Sequence, residues 1–168
     1  MATTSTPATS TVGERHLLRH ALATVAYRAS RVVLDPPAGY ADLSVGPTTR
    51  TPRQIVAHIG DLMDWALSHA RGAHEWHMST PLAWNDEVTR MFGAIERLDA
   101  YLATDAPLGW PVDHLMQAPI ADALTHVGQL AMLRRLAGSP VHGEHYGDAD
   151  ITVGRVGRDQ PAPRMVID

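Results

Sequence analysis

The stretch of residues 119–136 constrains the fold more than any other, because both of its ends carry helix signals. Pro119 suits a first helical position, where its missing N–H group leaves no intrahelical hydrogen bond unmade. Gly138 suits the position just past the end of a helix, and Pro140 prevents the helix from continuing. The sequence therefore predicts a helix over residues 119–136.

Polar side chains lie on the face of this helix that its apolar periodicity predicts to be buried. Asp122 and His126 are four residues apart and share one face, with Gln129 three residues further on. The apolar residues that share or flank this face are Ala123, Val127, Leu130 and Leu133. A carboxylate and an imidazole one turn apart can hold a metal ion together. The alternative is an ordinary hydrogen bond between them, with Gln129 bonded to a neighbouring backbone group.

An earlier helix has an equally clear beginning at Thr51. Thr51 is a good N-cap, Pro52 fits the first turn, and Gln54 completes a capping box. The apolar stripe of this second helix is formed by Ile55, Ile59, Leu62 and Ala66. His58 falls on or beside that stripe, so its imidazole is predicted to face inward.

An inward His58 would add a third ligand to the pair on the later helix. Two ligands on one helix and one on another make a workable site in a helical bundle. A lone inward histidine is otherwise more often a core residue with a satisfied hydrogen bond. Trp65 lies one heptad beyond His58 on the same side, whereas Asp61 is predicted to lie toward the other side.

Two more helices complete a predicted all-α fold, a four-helix bundle. The first helix is predicted over residues 13–34, with a core stripe of Leu18, Leu22, Val25, Ala29 and Val32. The third helix is predicted to run from Asn85 or Asp86 to Ala103, with Asn85 as its cap. We expect it to contribute no inward acid or histidine.

The remaining segments define the predicted domain organisation. Residues 1–12 form a flexible N-terminal tail, 13–138 form the bundle, and 139–168 form an irregular C-terminal extension packed on it. Turn-forming residues predict two long connections, over residues 36–50 and 104–118.

Ten histidines in this chain make other metal sites worth weighing. Three further pairs have a spacing of three or four residues, namely His16 and His20, His74 and His77, and His142 and His145. Charged neighbours favour a solvent-exposed interpretation of the first two pairs. The third pair could form a second metal site, or belong to a lid over the first site.

Composition excludes several classes of function. A net charge of −4 without a basic stripe disfavours nucleic-acid binding, and the absence of cysteine excludes disulfides, thiolate ligands and a cysteine nucleophile. Apolar runs are too short for a membrane span, and the N-terminus does not read as a secretory signal. We therefore expect a cytoplasmic protein.

Two short segments together resemble a known family. Residues 57–62, Ala-His-Ile-Gly-Asp-Leu, and residues 122–129, Asp-Ala-Leu-Thr-His-Val-Gly-Gln, are similar to segments of the DinB-like superfamily of small bacterial four-helix proteins. The resemblance covers the whole bundle, and the segment from His126 to Gln129 is its most specific part. It implies an up-down-down-up bundle with long connections between helices 1 and 2 and between helices 3 and 4.

The resemblance also implies a divalent metal on three side chains, at His58, Asp122 and His126. The metal in such proteins is most often nickel or zinc, and manganese or iron would also fit this ligand set. The chain departs from the family pattern at Asp122, where the family has a histidine. The expected site therefore has two imidazoles and one carboxylate, which leaves coordination positions open.

Characterised relatives include transferases and isomerases that use low-molecular-weight thiols such as mycothiol or bacillithiol, and some hydrolases. The resemblance thus implies a metal-dependent thiol S-transferase or hydrolase with a small-molecule substrate, a thiol as a further cofactor, and a homodimeric assembly. A bound metal would activate water or thiol. Gln129 would be a catalytic-site residue that orients this group, and Trp65 would wall the substrate pocket. The alternatives are a non-catalytic metal-binding or stress-associated helical-bundle dimer, and a bundle without metal.

Overall fold

A computed structural model describes residues 11–167, so residues 1–10 of the predicted N-terminal tail lie outside the described part. The chain folds into an all-α bundle, as predicted. Its helices are α1 (Val12–Val33), α2 (Pro52–Ala70), α3 (Trp84–Leu102), the short α4 (Val112–Leu115) and α5 (Ala121–Leu136). The minor elements are 3₁₀ turns at Tyr40–Asp42 and Tyr146–Asp148, and two antiparallel strands, β1 (Gly143–Glu144) and β2 (Val166–Ile167).

Contacts between the four long helices give their directions. Asp61 of α2 pairs with Arg90 of α3, and Asp64 pairs with Arg97 further along, so α2 and α3 are parallel. Trp84 at the start of α3 donates its indole N–H to the carbonyl of Val33 at the end of α1, so these two helices are antiparallel.

Helix α5 runs in the same direction as α1. The guanidinium of Arg134, near the end of α5, donates to the carbonyls of Leu34 and Asp35, which follow the end of α1, at 3.1 and 3.0 Å. These directions confirm the predicted up-down-down-up topology. In it α2 packs against α3 on one side and α5 on the other, and α1 likewise lies between α3 and α5.

The predicted core stripes of α1 and α2 are buried, and so is the apolar face of α3. The stripe residues of α1 and α2 are at most 4% exposed, and Val88, Met91, Ile95 and Leu98 of α3 are at most 1% exposed. Capping boxes begin both α1, at Thr11 with Glu14, and α2, at Thr51 with Gln54 as predicted. Apolar periodicity and capping therefore place these helices correctly.

Helix α3 begins one residue before the predicted cap. Ala83 occupies the N-cap position without a side-chain hydrogen bond, and Asn85 already lies inside the helix, so the prediction of Asn85 as cap was wrong. Glu87 instead fixes the chain that leads into the helix, because its carboxylate accepts the backbone N–H of Leu82 at 2.7 Å.

Pro119 does not begin a helix, contrary to the sequence prediction. It lies inside a π-helical turn, Met116–Ile120, which joins α4 to α5 in one continuous helical segment. A wider turn is a known way for a helical segment to accommodate a proline. The other end is as predicted, since Gly138 has a φ of +71° and its N–H donates to the carbonyl of Arg135 at 3.0 Å.

A third long connection joins α2 to α3 in addition to the two predicted. Because these helices are parallel, residues 71–83 must run back along the length of α2; we call this segment the strap. Extended, the strap can reach roughly 43 Å, against roughly 28 Å for a 19-residue helix. The chain reverses at Gly72 (φ +80°) and His74 (φ +57°). The backbone N–H groups of Glu75 and Ser79 then donate to Ser68 and Asp61 of α2.

Acidic side chains of α2 and α3 are buried where we expected none. Asp61, predicted to face away, is 5% exposed and pairs with Arg90 at 3.0 Å, and Arg90 also pairs with the fully buried Glu87. Asp99 is 6% exposed and accepts two hydrogen bonds from Arg19 of α1. The expectation that α3 carries no inward acid was therefore wrong, since arginines from neighbouring turns and helices neutralise these carboxylates.

The C-terminal extension packs on α1 and α3. Glu144 accepts a hydrogen bond from the buried Tyr27 hydroxyl and lies 3.7 Å from Arg31, and Arg31 donates to the carbonyl of Pro161. Gly157 lies against Glu96 of α3. Within residues 11–167, no helix combines the length and the apolar character that crossing a membrane requires.

Candidate metal centre

The three predicted ligands lie together at the seam between α2 and α5. One Asp122 oxygen is 3.5 Å from His126 Nε2, and the other is 3.7 Å from His58 Nε2. The two imidazole rings meet edge to face, with centroids 4.7 Å apart. Among residues 11–167 this is the one group of three or more metal-ligating side chains whose ligand atoms converge, all within 4.8 Å of one another. The structure thus brings together the three side chains that the sequence predicted to meet, and metal binding by them stays a prediction.

The spacing of these atoms suits a shared ion better than direct hydrogen bonds. Ligand atoms about 2.1 Å from a tetrahedral metal are about 3.4 Å apart, close to the two nitrogen–oxygen distances in the cluster. Hydrogen bonds between such groups would instead need about 2.7–3.2 Å. The Asp122 carboxylate faces both imidazoles but lies too far from either for a hydrogen bond. Together the three side chains therefore form a donor set that fits a divalent cation.

Gln129 orients one of the ligands. Its side-chain oxygen lies 2.8 Å from His126 Nδ1, three residues earlier on α5. An amide oxygen can only accept, so His126 carries its proton on Nδ1 and keeps Nε2 free toward Asp122. The structure thus places Gln129 behind a ligand, where it fixes the tautomer that coordination requires.

Burial favours the neutral, ligand-competent form of His58. Burial is the main cause that lowers the pKa of His58, and the positive charge of Arg50 and the nearby His126 imidazole lower it further. The carboxylates of Asp122 and Asp61 oppose this shift without reversing it. A neutral imidazole is the form that binds a metal.

Two clefts reach the cluster, one at His58 and the other at Asp122. One, of about 470 Å³, is lined by His58 together with the end of the α1–α2 connection and the strap. The other, of about 480 Å³, is lined by Asp122, Trp65 and the π-helical turn. The side chain of Asp122 is 46% exposed, whereas His58 and His126 are 17% and 8% exposed. The cluster is therefore held by one half-buried and one buried imidazole and opens outward at its carboxylate.

Tryptophans form the wall beside the cluster. Trp65 lines the Asp122 cleft, and its ring meets Trp76 of the strap edge to face at 5.7 Å. Trp76 in turn contacts the His58 ring at 5.9 Å. On its other side Trp65 contacts Trp110 and His69, and those two rings are stacked at 3.8 Å.

Trp76 is the residue near the site that sequence reasoning missed. It was assigned no role from the sequence, and its neighbours His74 and His77 were predicted to be exposed to solvent. The parallel arrangement of α2 and α3 forces the strap back past His58, and only that topology brings Trp76 to the cluster. The signal that could have predicted the position of Trp76 is an aromatic residue in a connection between two parallel helices.

The other histidine pairs stay outside the cluster. His16 and His20 are exposed on α1, and His74 and His77 are exposed on the strap, where His74 instead contacts the buried His69 at 2.5 Å. His145 pairs with Asp148 at 2.9 Å within the C-terminal extension. Since the extension lies on α1 and α3, it does not bring His145 to the α2–α5 seam as a lid.

Comparison with known proteins gives no relative: no protein-family model, curated protein or solved structure matches the chain. The interpretation of the site therefore rests on its own geometry and on the sequence segments that carry it.

Proposed function

We propose that this chain is a DinB-like metalloprotein that binds one divalent ion at His58, Asp122 and His126 and acts as a thiol S-transferase or hydrolase on a small molecule. The observation that carries the proposal is the convergence of these three ligand atoms within 4.8 Å at the seam between two helices. The up-down-down-up topology, and a ligand pair four residues apart that is followed by Gln129, are further features in its favour.

The proposed activation of water or a thiol depends on the exposed side of the cluster, which these molecules can reach. A divalent ion bound there would lower the pKa of a water or thiol that reached it from the cleft. His58 and His126 anchor the buried side, and Gln129 fixes the orientation of His126. Trp65 and Trp76 form an apolar wall that would hold the substrate and limit water beside the ligands.

An open coordination site favours catalysis over a purely structural metal. A structural site is typically closed by four protein ligands. Within residues 11–167 the cluster has three, and two clefts give access to it. This is the observation that ranks an enzyme above the alternative of a non-catalytic metal-binding bundle.

Metal content of protein purified without an affinity tag tests the proposal. Wild type, His126→Ala and the control His20→Ala, which removes an exposed histidine on α1, would be incubated with nickel, zinc, manganese or iron and desalted. We expect about one ion per chain in wild type and control, and none in His126→Ala, which should retain its helical circular dichroism.

Two results would contradict this assignment. Wild type without metal after every incubation would show that Asp122 in place of histidine does not support a site. Stoichiometric metal in folded His126→Ala would show that the ion binds elsewhere. A positive result would justify screening thiol-transfer and hydrolysis substrates with the loaded protein.

A further inference from the structure

Arg50 stands where two clefts meet beside the cluster. The cleft that contains His58 and a second cleft of about 560 Å³ that contains Gln129 share the residues Thr48, Thr49 and Arg50. Arg50 is close enough to His58 to lower the pKa of that imidazole. The guanidinium therefore lies within the field of the cluster, at the entrance to both clefts.

Arg50 has no counter-ion within residues 11–167. Its neighbour Arg53 pairs with Asp42, and the half-buried Arg90 is neutralised by Asp61 and Glu87. Arg50 also directly precedes the N-terminus of the 19-residue helix α2, whose dipole adds positive potential. An uncompensated cation at this position attracts an anion, and a guanidinium binds a carboxylate through two parallel hydrogen bonds.

The second cleft continues from Arg50 along an apolar surface. Its walls include Val45, Met132 and Leu136, which are 47%, 56% and 60% exposed. Large apolar side chains exposed together beside a charged group are typical of a binding surface rather than of solvent-exposed helix. The shape and chemistry on this side of the cluster thus combine one cation with a neighbouring apolar groove.

We propose that the substrate is an amphipathic carboxylate. Its carboxylate would pair with Arg50, its hydrocarbon part would lie against Val45, Met132 and Leu136, and its reacting group would extend toward His58. This inference rests on the proposed function for the reacting group. The binding of an alkyl carboxylate can nevertheless be measured separately from metal binding.

The test compares octanoate with octan-1-ol by titration calorimetry on the full chain, with and without zinc. We expect octanoate to bind more tightly than octanol, and Arg50→Gln to weaken octanoate about tenfold or more, because it removes a charge-assisted pair. Arg158→Gln, the same charge change on the exposed C-terminal extension, should bind like wild type. Met132→Gln should weaken octanoate and octanol alike. Arg50→Gln should still bind zinc, and no more weakly than wild type, because the substitution removes a positive charge near the candidate ligands.

The outcomes separate this inference from the metal assignment. Octanoate that binds equally to wild type and Arg50→Gln, or does not bind at all, overturns the inference even when zinc binds normally. If octanoate binding is lost in His126→Ala but not in Arg50→Gln, the carboxylate ligates the metal instead of pairing with Arg50. A wild-type dimer that becomes a monomer in Met132→Gln, measured by sedimentation, would assign the groove to a second copy of the chain. Absence of zinc binding would refute the proposed function, whether or not octanoate binds.

Discussion

Replacement of Gln129 offers the sharpest test of how the cluster is organised. The Gln129 oxygen, 2.8 Å from His126 Nδ1, holds the proton on that nitrogen and leaves Nε2 as the ligand atom. Gln129→Ala removes this acceptor without touching any of the three ligands. The variant should therefore stay folded and bind metal more weakly than wild type.

The expected loss of metal affinity is about tenfold, or about 1.4 kcal/mol. Partners that orient metal-bound histidines typically contribute 10- to 100-fold to affinity. Gln129 is exposed, so water can replace its oxygen as acceptor, which places the effect at the lower end of this range. Gln129→Glu should act in the opposite direction, because a carboxylate accepts more strongly and makes His126 a better donor to the metal.

Competition with a chromophoric zinc chelator measures these affinities. Thr125→Ala is the matched control, since the exposed Thr125 lies on the same helix and its hydroxyl donates to the carbonyl of Ala121 instead of to a candidate ligand. We expect the order Gln129→Glu, then wild type and control, then Gln129→Ala, from tightest to weakest. Equal affinity in wild type and Gln129→Ala would refute the argument that this hydrogen bond organises the site.

Three further predictions concern the ligand set and the packing around it. Asp122→Asn should bind metal far more weakly than Asp122→His, because only the latter restores a strong third ligand; equilibrium dialysis would compare them. Arg134→Met should lower the free energy of unfolding by about 1.5–3 kcal/mol, since it removes part-buried hydrogen bonds from a charged donor to backbone carbonyls, whereas the exposed Arg135→Met should change it by less than about 0.5 kcal/mol in urea titrations. Burial, and then His74, lower the pKa of His69 below its ordinary 6.5, so the unfolded chain binds a proton more readily than the folded one. Stability should therefore fall as the pH drops through about 6.5, and His69→Phe, which keeps the ring against Trp110, should flatten the dependence of Tm on pH between about 7 and 5.

The positions of the helices could largely be predicted from the sequence, because the signals that begin, continue and end a helix are local. The capping box of Thr51 with Gln54, the apolar stripe that follows it and Gly138 at the end of α5 each depend on a few neighbouring residues. Pro119 misled the prediction for the same reason. A proline favours a helix start locally, and only tertiary packing of α4 against the bundle explains why the chain stays helical through the π turn.

The convergence of the three candidate ligands was also predictable, but the charged interior was not. His58, Asp122 and His126 each lie beside an apolar stripe, and polar residues in that position must find partners. Asp61 looked exposed because its burial depends on Arg90, a residue on another helix whose pairing no local pattern indicates. The position of Arg50 between two clefts is likewise a property of the folded α1–α2 connection rather than of its sequence.

The topology itself explains why the cluster has an aromatic wall. If α2 and α3 were antiparallel, a short turn would join them and no segment would pass His58. Because they are parallel, the strap must return along α2, and its hydrogen bonds to Ser68 and Asp61 fix it on the face that carries His58. Trp76 lies between these two anchors and is held against both His58 and Trp65. The connection that the fold requires is thus also the element that encloses one side of the metal ligands, so shortening the strap should open the site before it unfolds the bundle.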